Sequence, residues 1–199
     1  MELILVRHAL PVRIDGTDDG CPADPGLSDR GYEQAKCLID ALAHDTVTHL
    51  YTSPARRARE TAVPLHEALG LDLTVEDGLA EFDAAHSSYV PVEELRASGD
   101  PRWELLVKGD LYHGDVDPLA FKQRVITAIE QIVARHPGGR AVLFAHSGVI
   151  NAYAGHVLAQ DTLLWTAPAY ASLTRIGAAR DGRRGVISLN ETGHVRDLL

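Results

Sequence analysis

Two histidines in the sequence each follow a short apolar run that is typical of a buried strand. His8 ends the stretch LILVRH, with Arg7 directly before it, and His146 ends AVLFAH, with Ser147 directly after it. A neutral imidazole can attack an electrophilic phosphorus without first losing a proton, so a histidine in this position can act as a nucleophile in phosphoryl transfer. A lone histidine after a strand is more often structural, and this chain has 10 histidines, so position must select among them.

Arginines and one carboxylate add to these histidines. Arg56, Arg57 and Arg59 fall in the first turns of a predicted helix that follows another strand. Helix N-termini and guanidinium groups together favour a bound anion, most naturally a phosphate. The leaving alkoxide of a phosphate ester also needs a proton, and Glu81 in GLAEFD is the carboxylate we expect to supply it.

The pattern of apolar residues predicts the elements that would position these side chains. Short apolar runs predict strands at about 3–6, 48–52, 71–75, 141–145, 172–176 and 185–189. Helical spacing predicts helices over about 28–42, 54–69, 121–133 and 148–158. Strands that alternate with helices predict an α/β fold of three layers, α/β/α, with a mostly parallel central sheet. We expect one domain over residues 1–199.

The ends of these elements allow more local predictions. Ser28 and Ser53 are each predicted to cap a helix, with Pro54 at a first helical position and Gly70 closing that helix. Ligands of such folds bind at the carboxyl ends of the strands, so His8 and His146 are expected to converge on one crevice. An irregular, lid-like segment at about 83–117 could cover this crevice; it contains His86, Tyr89, Trp103, Tyr112 and His113.

Composition limits the partners. The chain has 28 acidic and 19 basic side chains and a net charge of −9, which argues against nucleic acid and anionic membranes as partners. Cys21 and Cys37 do not have the spacing of a metal site, so we expect no metal and no cofactor. The short apolar run at the N-terminus lacks the features of a signal peptide, and we therefore expect a cytoplasmic protein.

Five segments, in order and spacing, resemble the histidine phosphatase superfamily, also called the branch 1 or phosphoglycerate-mutase-like group. They are LVRHA at 5–9, DPGLSDRGYEQA at 24–35, TSPARRARETA at 52–62, GLAEFD at 78–83 and AHSGVI at 145–150. The resemblance implies a phosphoglycerate-mutase-like fold in which His8 becomes phosphorylated and Arg7 and Arg57 bind the phosphoryl group. It also implies that His146 contacts this group, and that Glu81 is the general acid and later the base for water. Ser147, where a helix should start, is a further phosphate-binding candidate.

The sequence also departs from the family pattern. RHALP replaces the commoner RHGET or RHGES, and Ile14 stands where an Asn phosphate ligand is often found. Arg13 is a candidate to replace that ligand. AAHSSY stands in place of a small glycine- and tryptophan-containing segment after Glu81, which leaves the substrate open.

Three functional hypotheses follow. The first is a metal-independent phosphatase that acts on a small phosphorylated substrate through a phosphohistidine on His8. The second is a phosphoglycerate-type mutase, which must protect the same intermediate from water. The third is a non-catalytic module of this fold that binds a phosphate ligand. A homodimer is the oligomeric state we retain as a hypothesis.

Overall fold

A six-stranded sheet lies at the centre of the computed structural model, which describes residues 1–16, 21–108 and 116–199. The strands are β1 (Glu2–Arg7), β2 (His49–Thr52), β3 (Leu73–Val75), β4 (Arg140–Ala145), β5 (Leu173–Ala178) and β6 (Arg184–Glu191). Their order across the sheet is β3-β2-β4-β1-β5-β6. The first four in this order are parallel, whereas β5 and β6 are antiparallel to their neighbours. The predicted α/β class and mostly parallel sheet are confirmed.

Helices cover both faces of this sheet. They are α1 (Asp29–Ala41), α2 (Arg56–Leu69), α3 (Val92–Ser98), α4 (Pro101–Val107), α5 (Pro118–Arg135) and α6 (Ser147–Val157). Helices α3 and α4 lie in the segment predicted to be irregular and lid-like, in which Tyr112 and His113 lie outside the described residues. None of the described helices is both long and apolar enough to span a bilayer.

Alternation of side chains along β1 explains the three layers. Leu3 and Leu5 pack into the hydrophobic core on the α5 and α6 side of the sheet. Ile4 and Val6 pack into a second core on the α1 and α2 side. Successive strand residues point to opposite faces, so a continuous apolar run such as this one needs helices on both faces.

The helix ends confirm two of the local predictions and correct a third. Ser28 caps α1 by accepting a hydrogen bond from the Gly31 amide, and Gly70 ends α2 with a φ of 62°. Ser53 does not cap α2, and Pro54 is not its first helical residue: the cap position is Ala55 and the helix begins at Arg56.

Ser53 precedes the cap position and is buried beside His146. Its Oγ lies 2.7 Å from His146 Nε2. The Arg56 amide instead donates to Asp24 Oδ1 at 2.7 Å, so a carboxylate from a distant loop satisfies the first turn of α2.

Candidate active site

The sheet register brings the ends of three neighbouring strands to one edge. Arg7 in β1 pairs with Ala145 in β4, and Thr52 in β2 pairs with Phe144. The next residues along these strands, His8, His146 and Ser53, therefore leave the sheet at nearly the same level. The rings of His8 and His146 lie 5.1 Å apart between centroids, which agrees with the convergence expected from the sequence.

The loop after β1 holds the His8 ring in one tautomer. His8 Nδ1 lies 2.8 Å from the Ala9 carbonyl oxygen, which can only accept a hydrogen bond. Nδ1 therefore carries the hydrogen, and Nε2 keeps the lone pair that a nucleophile needs. Thr61 Oγ1 accepts a hydrogen bond from the Ala9 amide at 2.9 Å, which anchors this loop to α2.

Burial and neighbouring charges keep both histidines neutral. Burial lowers the pKa of His8 well below its ordinary value, and the cations Arg57 and Arg7 lower it further. The pKa of His146 is lowered well below its ordinary value by burial, by Arg57 and by His8. At neutral pH the lone pair of His8 is therefore not blocked by a proton.

Each buried arginine of the site is oriented by a carboxylate and an aromatic ring. Arg7 forms an ion pair with Glu93, donates to the Pro168 carbonyl at 2.7 Å, and lies 3.8 Å from the centroid of the Tyr170 ring. The Tyr170 hydroxyl donates to Glu93 at 2.7 Å and so completes this arrangement.

Arg57 is held in a similar way. Its Nη2 donates to Asp83 Oδ1 at 2.8 Å, and its guanidinium lies 4.7 Å from the centroid of the Tyr89 ring. These contacts fix the forks of Arg7 and Arg57 before any ligand binds.

Most of the unpartnered buried polar atoms in the described residues belong to this site. The side-chain nitrogen and oxygen atoms that are buried without a hydrogen-bond partner are Arg7 Nε, Arg57 Nε, His146 Nδ1 and Ser172 Oγ. Each such atom costs about 1–3 kcal/mol when it stays unsatisfied. A phosphate carries several acceptor oxygens, so the three nitrogens next to His8 fit an anion-binding site.

Glu81 approaches the same site from the loop after β3. Its carboxylate accepts hydrogen bonds from the Gly148 amide at 2.7 Å and the Phe82 amide at 3.0 Å. Burial, with the negative charge of Asp83, raises the pKa of Glu81 to about 7. A carboxyl group with this pKa is partly protonated at neutral pH and can act as a general acid.

Gly148 makes this position of Glu81 feasible. A Cβ at residue 148 would lie 2.3 Å from Glu81 Oε1, which is far inside any normal contact. Only glycine allows the first turn of α6 to come so close to the carboxylate. This role could not be predicted from the sequence, although the glycine stands in the motif AHSGVI.

A cavity of about 340 Å³ collects most of the predicted site residues. Its walls include Arg7, His8, Arg57, Glu81 and Ser147. His146 is fully buried beside His8 and does not line the cavity itself.

Arg13 is not brought to the cavity. It lies at the surface, where it forms ion pairs with Asp15 and Glu94. Arg56 and Arg59 are exposed, as expected for helix surface residues.

Four residues that contact the site groups were not assigned these roles from the sequence. Ser53 contacts His146, Asp83 pairs with Arg57, and Glu93 and Tyr170 hold Arg7. Asp83 belongs to the GLAEFD segment and could have been found there, but Glu93 and Tyr170 stand in segments without a recognisable pattern. Within the described residues, no group of three or more His, Cys, Asp or Glu side chains is placed to hold a metal ion.

Comparison with known proteins agrees with this geometry. The family model for the histidine phosphatase superfamily (branch 1) matches residues 3–192. A phosphoserine phosphatase of Hydrogenobacter thermophilus is 29% identical over 203 residues, which cover 98% of this chain and 94% of the relative. A probable phosphoglycerate mutase of Photorhabdus laumondii is 25% identical over 169 residues, which cover 79% of this chain and 75% of the relative.

The fold is also similar to that of solved structures. A mycobacterial glucosyl-3-phosphoglycerate phosphatase, solved with inorganic phosphate, superimposes with a TM-score of 0.78 at 25% identity. The match covers 98% of this chain and 99% of that structure.

Proposed function

Because the chain belongs to the histidine phosphatase superfamily (branch 1), we propose that it hydrolyses phosphate monoesters through a phosphohistidine on His8. The observation that carries this proposal is the arrangement around His8. Its Nε2 keeps a lone pair, its pKa is depressed, and the unpartnered Nε atoms of Arg7 and Arg57 stand next to it.

The reaction proceeds in two transfers. In the first, His8 Nε2 attacks phosphorus, the bond from phosphorus to the ester oxygen breaks, and Glu81 gives its proton to the leaving alkoxide. In the second, the Glu81 carboxylate takes a proton from water, whose oxygen attacks the phosphohistidine and releases phosphate and neutral His8. Arg7 and Arg57 stabilise the charge on the transferred group, and no metal is required for either step.

His146 assists by donating a hydrogen bond to the phosphoryl group. Ser53 Oγ accepts from the Ala55 amide at 3.3 Å, so its own hydrogen is free to go to His146 Nε2. Nδ1 of His146 then carries the ring hydrogen, and it is the atom of this side chain that has no partner in the described structure. Ser147, which lines the cavity at the start of α6, is a further phosphate contact.

The mutase alternative has less support. The two phosphatases named above each match at least 98% of this chain, whereas the probable mutase matches 79% of it. Labelled phosphoglycerate separates the two activities: a phosphatase releases the label as inorganic phosphate, and a mutase moves it between carbons.

The central experiment compares three proteins with an aryl phosphate in the presence of a chelator. We expect the wild type to release phosphate and His8→Ala to release none. His44→Ala is the matched control, because His44 is exposed and lies outside the cavity. Wild-type rates in His8→Ala would refute the mechanism.

If no protein turns over the ester but wild type binds inorganic phosphate, the non-catalytic module is favoured instead.

The remaining proposals concern the state of the protein: a single domain over residues 1–199, a cytoplasmic location and a homodimer. Domain-resolved unfolding tests the single domain, cell fractionation tests the location, and light scattering tests the homodimer.

A further inference from the structure

The cavity that His8 lines also has apolar and aromatic walls. These walls are formed by Phe82 and Val90 before α3, by Leu95 in α3, by Trp103 and Val107 in α4, and by Trp165 after α6. This part of the cavity would surround the alcohol portion of an ester whose phosphate lies against His8. The whole cavity has a volume of about 340 Å³, which is in the range of sites that enclose a small organic molecule.

The wall formed by residues 165 and 166 is rigid because one buried side chain holds it. Asn151 Oδ1 accepts hydrogen bonds from the amides of Trp165 and Thr166, and its Nδ2 donates to the Thr166 carbonyl. Trp165 Nε1 donates to the Asn151 carbonyl at 3.0 Å, so the polar edge of the indole is already satisfied. The ring can therefore contact a ligand without leaving a polar atom unpaired.

The charges of the cavity do not suit an alcohol that carries a carboxylate. Arg7 and Arg57 are paired with Glu93 and Asp83, and a further anion placed here would meet these carboxylates. Arg96 also lines the cavity and forms no ion pair with any carboxylate among the described residues, but it is exposed and its guanidinium lies 5.9 Å from the centroid of the Trp103 ring, so water screens its charge. A carboxylate against the apolar walls would lose its hydration and gain at most this screened charge as a partner.

We infer that the substrates are phosphate monoesters of bulky apolar alcohols that contain a ring. The inference rests on the proposed phosphatase function and adds the class of leaving group to it. Apolar area on the alcohol gains free energy when it leaves water for these walls. This preference differs from the esters named for the relatives, since phosphoserine and glucosyl-3-phosphoglycerate both carry a carboxylate.

The test compares 2-phenylethyl phosphate with ethyl phosphate and phosphoserine. The first two are esters of primary alcohols with similar basicity, so the ratio of their kcat/KM values reports contacts of the alcohol rather than its quality as a leaving group. We expect a ratio of about 100 in favour of 2-phenylethyl phosphate. Phosphoserine should be a poorer substrate than 2-phenylethyl phosphate.

Two variants assign this ratio to the apolar wall. Trp103→Ala should lower the ratio about tenfold, because the indole supplies a large part of the contact area. Val107→Asn should lower it about threefold by placing an amide in the wall. Val63→Asn is the matched control: Val63 is 41% exposed, close to the 46% of Val107, but it lies on α2 outside the cavity, so the ratio should not change.

The outcomes separate this inference from the proposed function. If His8-dependent hydrolysis occurs but the two alkyl esters are cleaved equally well, or phosphoserine is preferred, the inference is wrong and the phosphatase proposal stands. If none of the esters, and no aryl phosphate, is hydrolysed in a His8-dependent way, both fail. Thermal unfolding checks that Trp103→Ala is folded, and Val107→Asn tests the inference through an exposed side chain if it is not.

Discussion

Replacing Gly148 with alanine should damage catalysis by displacing the Glu81 carboxylate. The added Cβ would lie 2.3 Å from Glu81 Oε1, whereas real Cβ contacts stay at about 3.0 Å or more. The carboxylate and the first turn of α6 must therefore separate by 3.0 − 2.3 = 0.7 Å or more, and the Phe82 ring, 2.6 Å from the same Cβ, must also shift. This movement strains the hydrogen bond from the Gly148 amide to Glu81 Oε2, which is 2.7 Å long.

The size of the effect follows from the role proposed for Glu81 as general acid. A general acid contributes about 10²- to 10⁴-fold to a rate, and misplacement by about 1 Å can cost about 10²-fold. We expect kcat for an alkyl phosphate to fall by about 10²-fold in Gly148→Ala. The loss for 4-nitrophenyl phosphate should be smaller, because its leaving group departs without needing a proton. Helix propensity favours alanine over glycine by at most about 1 kcal/mol, whereas overpacking against the Phe82 ring costs about 1–3 kcal/mol, so the thermal unfolding temperature should fall modestly. The rates are therefore compared at a temperature where thermal unfolding shows Gly148→Ala to be folded.

A double-mutant cycle with Glu81→Gln tests the reasoning directly. If Gly148→Ala acts through the position of Glu81, adding it to Glu81→Gln should cause little further loss. The pH profile supplies a second readout: a weakened bond from the Gly148 amide removes an interaction that lowers the pKa of Glu81, so the basic limb should move to higher pH. Wild-type kcat for the alkyl ester, or losses that multiply in the double variant, would refute the argument.

Three further predictions follow from the same site. The wild-type kcat/KM should fall above about pH 7, because Glu81 loses its proton there. On the acid side kcat/KM should fall only below the ordinary histidine range, because the pKa of His8 is depressed. A value of kcat/KM that still rises at pH 9 would contradict this prediction. Folding should weaken as the pH falls below about 6.5, where His8 and His146 take up protons in the unfolded chain but not in the folded one, by up to about 2 kcal/mol for each at pH 5. The raised pKa of Glu81 acts in the opposite sense, because the folded chain takes up that proton first, so the effect is measured in Glu81→Gln, which lacks this titration. Urea unfolding of Glu81→Gln at pH 8 and pH 5 measures it, and equal free energies of unfolding in this variant would count against it. Ser53→Ala should lower kcat about tenfold and alter its pH profile, because it removes the hydrogen bond to His146. Ser53→Thr should restore both kcat and the pH profile. A Thr variant as poor as the Ala variant would show that the hydroxyl is not the relevant group.

The strand and helix order could be predicted from the sequence because it depends on local patterns. Short apolar runs such as Leu3–Val6 must be buried on both faces, and the helices between them place their apolar residues at helical spacing. The same reasoning placed His8 and His146 at strand ends on one edge of the sheet. The motifs around Arg7, Arg57 and Glu81 then identified the family.

Contacts between distant segments could not be predicted in the same way. Ser53 follows the pattern of a helix cap, but its partner is His146, 93 positions away. Arg13 has the right charge for a phosphate ligand, but ion pairs with Asp15 and Glu94 hold it at the surface. A local sequence pattern does not encode these contacts, because each contact depends on which other segment packs beside the residue.

The sequence by itself determined which residue types stand at the strand ends, and thereby the class of chemistry. The tertiary structure decided how those residues behave. The tautomer of His8, the depressed pKa of both histidines and the pKa of about 7 for Glu81 arise from burial and from neighbouring charges. Glu93 and Tyr170 likewise orient Arg7 only after α3 and the segment before β5 have packed against the end of β1. The physical reason is that side chains from separate parts of the chain meet only in the folded protein.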